Sequence, residues 1–197
     1  MVEIIGYTSN ALGEILEVAG NVYPRAKLNR DNRDDQKRMI NMCIRDGEVS
    51  IFSHATAKID IICSHYVSQE LSVITNDLTI KTNVNTDYSN LSFITPDEFS
   101  TNDKLKLTYM EYIKYITKSI NELYSIDNTI DYRCILPASM EVEVIITTNF
   151  LNLLRILKVM NYKNTSPELI NICGLLYEKL NNICDIVFNK TNLKLKI

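Results

Sequence analysis

Two periodicities that cannot share one element set the fold class of this chain of 197 residues. Between Leu105 and Leu123 the residues Leu105, Leu107, Tyr109, Tyr112, Ile113, Ile116, Ile120 and Leu123 recur at helical spacing and predict one long helix, with Pro96-Asp97-Glu98 as a start signal. Between Glu141 and Thr147 the pattern alternates, Val142, Val144 and Ile146 against Glu141, Glu143 and Thr147, which predicts a strand. A chain holding both buries its helix stripes against a sheet, so the expected class is α+β.

The remaining segments fit that frame. Val2–Tyr7 reads as an opening strand, and Ser9-Asn10 offers an N-cap to a helix carrying Leu12, Ile15, Leu16 and Val18, ended or bent by Gly20 and Pro24. Asp31 to Arg45 is charged on one face and carries Met39, Ile40, Cys43 and Ile44 on the other, with Gly47 where a helix C-cap belongs. Ala55 to Ile62 alternates as a half-buried strand. Residues 76–90 are polar and aperiodic, which predicts a loop, and a short strand follows around Leu91–Ile94. Ile130–Leu136 reads as a helical turn closed by Pro137, and Phe150–Tyr162 and Pro167–Phe188 as two final amphipathic helices. With no internal repeat or linker, residues 1–197 are expected to form a single domain, an antiparallel or mixed sheet with long packed helices.

Composition excludes several function classes. The chain is 46% hydrophobic and 23% charged, enough for one sizeable core. A formal charge of −3 without a Lys/Arg cluster argues against nucleic-acid binding. No apolar run reaches the roughly 18–20 residues of a membrane span, and no basic flank precedes an apolar stretch at the N-terminus, so a soluble, cytoplasmic protein is expected. The five cysteines are scattered without a CxxC pair and read as reduced core thiols, and two histidines, His54 and His65, leave a metal site short of ligands. Tyr109, Tyr112 and Tyr115, at helical spacing, read as core or subunit-contact residues rather than a base-stacking platform.

Four stretches carry a resemblance in their order and spacing. Asp46-Gly47-Glu48-Val49-Ser50-Ile51-Phe52-Ser53-His54 resembles a "GHxSxxEH" turn, keeping Gly47, Ser50 and His54 but placing Ser53 on its glutamate. Cys63 to Leu71 lines up with a "vSRxxxHQLvRHR" helix, with Ser64, Glu70 and Leu71 in register, Glu70 standing on the glutamine and His65 on the arginine after the serine. Tyr132-Arg133-Cys134-Ile135-Leu136-Pro137 resembles "aRxvLP", and Thr147-Thr148-Asn149 resembles the start of "TxNxRxLxNFLxLR". These are motifs of the flavin-dependent thymidylate synthases, and the chain is similar to that family nearly end to end.

The resemblance implies a short helix over Ser64–Thr75 and a pocket in which FAD, NADPH and methylene-tetrahydrofolate convert dUMP to dTMP. No protein nucleophile is needed there, so arginines and backbone amides that position two phosphate-bearing ligands carry the catalysis. Most of those arginines are missing: Val73, Ile74 and Thr75 stand where the family has Arg-His-Arg, Leu151 and Met160 stand on arginines, Arg155 on an asparagine and Asn164 on a frequent histidine. In the following loop Lys81 falls on a nucleotide-binding glutamate, Asn83 on a serine and Asn85 on an arginine. At about 1.5–3 kcal/mol per charge-assisted hydrogen bond, four lost arginine contacts remove about 6–12 kcal/mol, against about 8 kcal/mol for micromolar binding. The resemblance leaves His54 and Asn149 as cofactor contacts and Glu70 and Arg133 as substrate contacts, with no catalytic residue and no metal ligand retained.

Each has a plainer alternative: a packed turn histidine, a helix N-cap at Asn149, an ion pair of Arg133 with Asp131. The expected function is a degenerate, non-catalytic homologue with a binding, assembly or regulatory role, with no cofactor retained, or FAD if the family pocket persists. The alternatives are a divergent active synthase, with Lys81, Arg133 and Arg155 as replacement cations, and an adaptor or inhibitor that reuses the fold. Family tetramers build their sites from several chains, so a homotetramer, or a mixed assembly with an intact synthase, is the expected partnership.

Overall fold

The computed structural model describes residues 1–26, 29–74, 79–84, 87–88 and 90–194. The chain runs β1 (Val2–Tyr7), α1 (Ala11–Val22), α2 (Arg33–Arg45), a 3-10 turn (Val49–His54), β2 (Thr56–Ser64), α3 (His65–Ile74) and β3 (Thr79–Val84). It continues through α4 (Asp97–Ser100), α5 (Asp103–Ile126), a second 3-10 turn (Tyr132–Ile135), β4 (Glu141–Asn149), α6 (Phe150–Lys158), a 3-10 extension (Val159–Asn161) and α7 (Pro167–Ile183).

The four strands form one antiparallel sheet in the order β1-β2-β4-β3. Strand alternation sends Ala57, Ile59, Ile61 and Cys63 of β2 and Val142, Val144 and Ile146 of β4 to one face, where all are buried. Helices cover that face, with Phe52, Phe150, Phe188, Ile15 and Ile40 fully buried between them, and the Phe150 and Phe188 rings meet at 4.8 Å. Cys43, Cys63, Cys173 and Cys184 are buried and unpaired, and burial pushes the Cys63 and Cys173 thiols up to about 12. No described helix is long and apolar enough to cross a membrane, and no described group of three His, Cys, Asp or Glu is placed to hold a metal.

Where local chemistry was explicit, sequence and structure agree. Gly47, at φ +82°, takes the left-handed geometry after α2, and the helix read from Asp31 starts at Arg33, where Asn32 accepts hydrogen bonds from the Asp34 and Asp35 amides. Asn10 stands at the start of α1, yet its side chain makes no capping bond.

The polar stretch read as a loop contains a strand, because β3 pairs with β4 from Thr79↔Thr147 to Val84↔Val142. It is an edge strand with Thr79, Lys81 and Asn83 exposed, and an edge needs no apolar run. The expected strand at Leu91–Ile94 reduces to one bridge, Phe93↔Met140. The last helix stops at Ile183, so that Phe188 turns back onto Phe150. Thr75 and Asn85 lie outside the described residues.

The long helix of the sequence is α5 alone, capped by Asn102, whose side chain accepts from the Lys104 and Leu105 amides. It is amphipathic, but only Ile120 is buried. Leu107, Met110, Tyr112 and Tyr115 are exposed, Tyr115 at 71%. Its far end is fixed by Tyr132, whose hydroxyl donates to the Leu123 and Asp127 carbonyls at 2.9 and 2.7 Å, and by the packing of Tyr88 and Tyr124 on that ring.

Candidate functional site

Asn149 ends β4 and starts α6. Its Oδ1 accepts from the Asn152 amide at 2.9 Å, which fixes the helix start directly against the sheet. The helix is nearly all apolar and buried, so its few polar side chains have little choice of direction. Asn152, 1% exposed, donates to Thr148 Oγ1 at 3.2 Å and accepts Arg155 Nη1 at 3.0 Å. One turn on lies Lys158, 8% exposed, whose pKa is lowered by desolvation and by the Arg155 charge.

Arg155 and Lys158 line a cavity of about 520 Å³ between α3, the end of α6 and the start of α7. Val73 and Ile74 bring apolar surface from α3, Val159 and Tyr162 from beyond α6, and Leu169 from α7. Glu70, also on the wall, accepts the Ser166 hydroxyl at 2.5 Å, while Ser166 Oγ accepts from the Leu169 amide at 3.3 Å and so caps α7. The two ends of this wall are tied together elsewhere: the Ser64 amide and hydroxyl both donate to the Glu168 carboxylate at 2.7 Å.

Of the four retained candidates, the structure brings only Glu70 to the cavity. Asn149 caps α6 with its side chain. Arg133 closes on Asp131, Nε at 2.9 Å from both oxygens and Nη2 at 2.6 Å from Oδ2, and its guanidinium holds that carboxyl well below the usual range. His54 is exposed at the end of its 3-10 turn and lines no part of this cavity. The His65 ring meets its own helix, Nε2 3.0 Å from Gln69 Nε2 and Nδ1 3.4 Å from Ser68 Oγ, while its backbone amide donates to the Met140 carbonyl at 2.8 Å.

Among the substituted positions, Val73, Ile74, Arg155 and Asn164 line the cavity, whereas Leu151 and Met160 do not. Lys81 is exposed on β3, and Asn83 beside it donates to Glu143 at 3.3 Å. Lys158 was missed by sequence reasoning. Its signal was present, two cations three residues apart in the apolar run from Phe150 to Lys158, a spacing that puts both on one side of a helix.

The family pattern described as thymidylate synthase complementing protein matches residues 3–185. No curated protein sequence matched the chain. Among solved structures, thymidylate synthase X (ThyX) from Helicobacter pylori with FAD and dUMP superposes with a TM-score of 0.78 at 15% identity, covering 98% of this chain and 99% of that one. A second Helicobacter pylori ThyX complex with FAD and dUMP gives 0.74 at 14% identity over 95% and 97% of the two chains. With the same fold over nearly its whole length and the family pattern matched from residue 3 to residue 185, the chain belongs to the thymidylate synthase complementing protein family, the flavin-dependent thymidylate synthases.

Proposed function

We propose that this chain is a non-catalytic member of the family, kept in the cytoplasm for a binding or assembly role. The observation that carries this reading is the α3 wall of the cavity: Val73 and Ile74 stand there in place of the arginine and histidine of the motif. Neither side chain can donate a hydrogen bond to a phosphate or a flavin ring. Of the other retained positions, Asn149 and Arg133 are engaged in a helix cap and an ion pair, and His54 lies off the cavity. The loss of these donors supports a pocket without the polar grip on FAD that the family resemblance implies, and the proposed function uses no flavin chemistry.

Assembly is supported by α5. A 24-residue amphipathic helix with one buried residue leaves its apolar side open to another chain. The occupant is a second copy, as in a tetramer, or an intact synthase chain in a mixed assembly. An adaptor or inhibitor that reuses the fold would use the same surface.

A second reading, a divergent active synthase acting on dUMP with FAD, NADPH and methylene-tetrahydrofolate, is favoured by the persistence of the cavity and by its cations Arg155 and Lys158.

The purified protein separates the two readings. We expect no visible flavin absorbance after incubation with FAD and no dTMP from dUMP in the presence of FAD, NADPH and methylene-tetrahydrofolate. A yellow protein that forms dTMP would replace the first reading with the second.

A further inference from the structure

The segment that carries α4, α5 and the second 3-10 turn leaves the body of the fold and returns to it at one place. The Ile94 amide donates to the Ser139 carbonyl and the Glu141 amide to the Ser92 carbonyl, each at 2.8 Å, with Phe93 bridged to Met140 between them. The chain thus goes out and comes back through a neck of two paired stretches, residues 92–94 and 139–141. Pro96 lies just beyond the neck on the way out and Pro137 just before it on the way back. The neck is fixed to the start of α3, where the Met140 and Ala138 carbonyls accept from the His65 and Tyr66 amides at 2.8 and 2.9 Å.

The segment beyond the neck has a core of its own. Tyr88, Ile120 and Tyr132 form a separate buried cluster, with Leu91, Ile116 and Leu136 half-buried against it, and no residue from 97 to 135 belongs to the main core. At the N-terminal end of α5, Tyr109 donates to the Ile94 carbonyl at 3.0 Å, and Asn171 donates to Asp97 at 2.7 Å. At the C-terminal end Tyr88 reaches in from outside the segment. Its ring meets those of Tyr124 and Tyr132, with centroids at 5.3 and 5.7 Å. Its hydroxyl donates to Asp131 Oδ1 at 3.2 Å and accepts from the Tyr132 amide at 3.1 Å.

The plainer account is that this segment belongs to one cooperative fold with the sheet. That account needs burial continuous with the main core, and here the burial is divided. Regions with few buried apolar contacts open at lower free energy than the core, in contiguous units. A helix in a protein owes most of its stability to the packing of one face, so losing the small cluster around Ile120 frees α5 as a whole and not turn by turn.

We propose that residues 97–135 open and reclose on this neck as one unit while the sheet and its covering helices stay folded, with Tyr88 as the latch. This goes beyond the proposed function and does not depend on it, because neck and latch are present whether or not anything binds or reacts.

The test is hydrogen exchange of the full chain, read by peptide mass spectrometry where reclosing outpaces exchange. Amides across α5 are expected to share one opening constant, at least about tenfold larger than that of β2 and β4. Tyr88→Phe keeps the ring and removes the hydroxyl that joins Asp131 to the Tyr132 amide. Exchange in α5 is expected to quicken about three- to tenfold with β2 and β4 unchanged. Tyr88→Ala removes the ring as well, and at least about a hundredfold is expected, again confined to the segment. The same measurements on a chain with Leu107→Glu and Tyr115→Glu, both exposed on α5, strip away protection lent by a covering chain. A difference between α5 and the sheet that emerges only there supports the proposal and shows that a covering chain holds the latch closed.

The proposal is overturned if α5 and β2 share one opening constant with and without the two glutamates, or if exchange in α5 falls off gradually from its ends with no common value. It is also overturned if Tyr88→Phe quickens sheet and helix alike. A Tyr88→Ala chain that does not fold would overturn it too, because the body would then depend on the latch.

Discussion

The hydroxyl of Ser166 donates to Glu70 Oε2 across 2.5 Å and joins the N-cap of α7 to α3 beside the cavity. One carboxylate thus serves a helix start and sets the charge of the cavity wall, and the two roles separate on substitution. Glu70→Gln retains an acceptor for Ser166 and removes the negative charge. The cap of α7 is expected to hold, with a loss of stability of about 1 kcal/mol as a charged hydrogen bond becomes a neutral one. Urea denaturation reads this directly, and a loss several times larger would show that the charge of Glu70 itself holds α7 to α3.

Asn149→Ala tests whether that side chain serves the helix or a ligand. Loss of the cap to the Asn152 amide should cost about 1 kcal/mol of stability. A lower urea midpoint is the expected result, and Asn149→Ser should recover most of it.

Arg133→Ala removes an exposed ion pair with Asp131, so the urea midpoint is expected to stay close to that of the wild type. Loss of nucleotide binding in this variant would return Arg133 to the substrate site.

Asp46 gives the fold a pH signature. It pairs with Arg45 and accepts the Tyr23 hydroxyl at 2.6 Å, which lowers its pKa to about 2 and raises that of Tyr23 to about 12. The folded chain prefers Asp46 charged, so this stability is present above the unfolded carboxyl value of about 3.9 and is lost as pH falls toward 2. It prefers Tyr23 neutral, so that contribution is present below about 10 and is lost as pH rises toward 12. The difference in urea midpoint between wild type and Asp46→Asn should be flat from about pH 5 to about pH 9 and shrink on either side. A difference independent of pH would show that the pair contributes only packing.

Glutamates at Leu107 and Tyr115 should break any assembly made through α5. Both residues are exposed, at 62% and 71%, so circular dichroism should not change while the mass measured by light scattering falls to that of one chain. An unchanged mass would place the interface elsewhere.

Much of the fold was legible because it is encoded locally. Gly47 after α2 and the alternation of β4 each act through neighbouring residues, and the structure uses them as read. The pairing of Arg133 with Asp131, two residues apart, was legible for the same reason. Strand β3 was hidden because its partner β4 is about sixty residues away, and its exposed residues carry no apolar pattern. Arg155 was legible as a cation, but Lys158 was hidden in another way. A lysine in a helix ordinarily lies in water along its length, and only the enclosure of α6 on nearly every side buries the stem of Lys158.

Asn149 belongs both to the sheet register, opposite Thr56, and to the start of α6, with no residue between strand and helix. Inserting one residue there would rotate the helix by about 100° and carry Arg155 and Lys158 away from α3. The chemistry of this cavity can therefore change freely by substitution but not by insertion or deletion at the junction. Family members that differ in what they bind should keep the strand-to-helix spacing unchanged while the side chains at the far end of α6 vary.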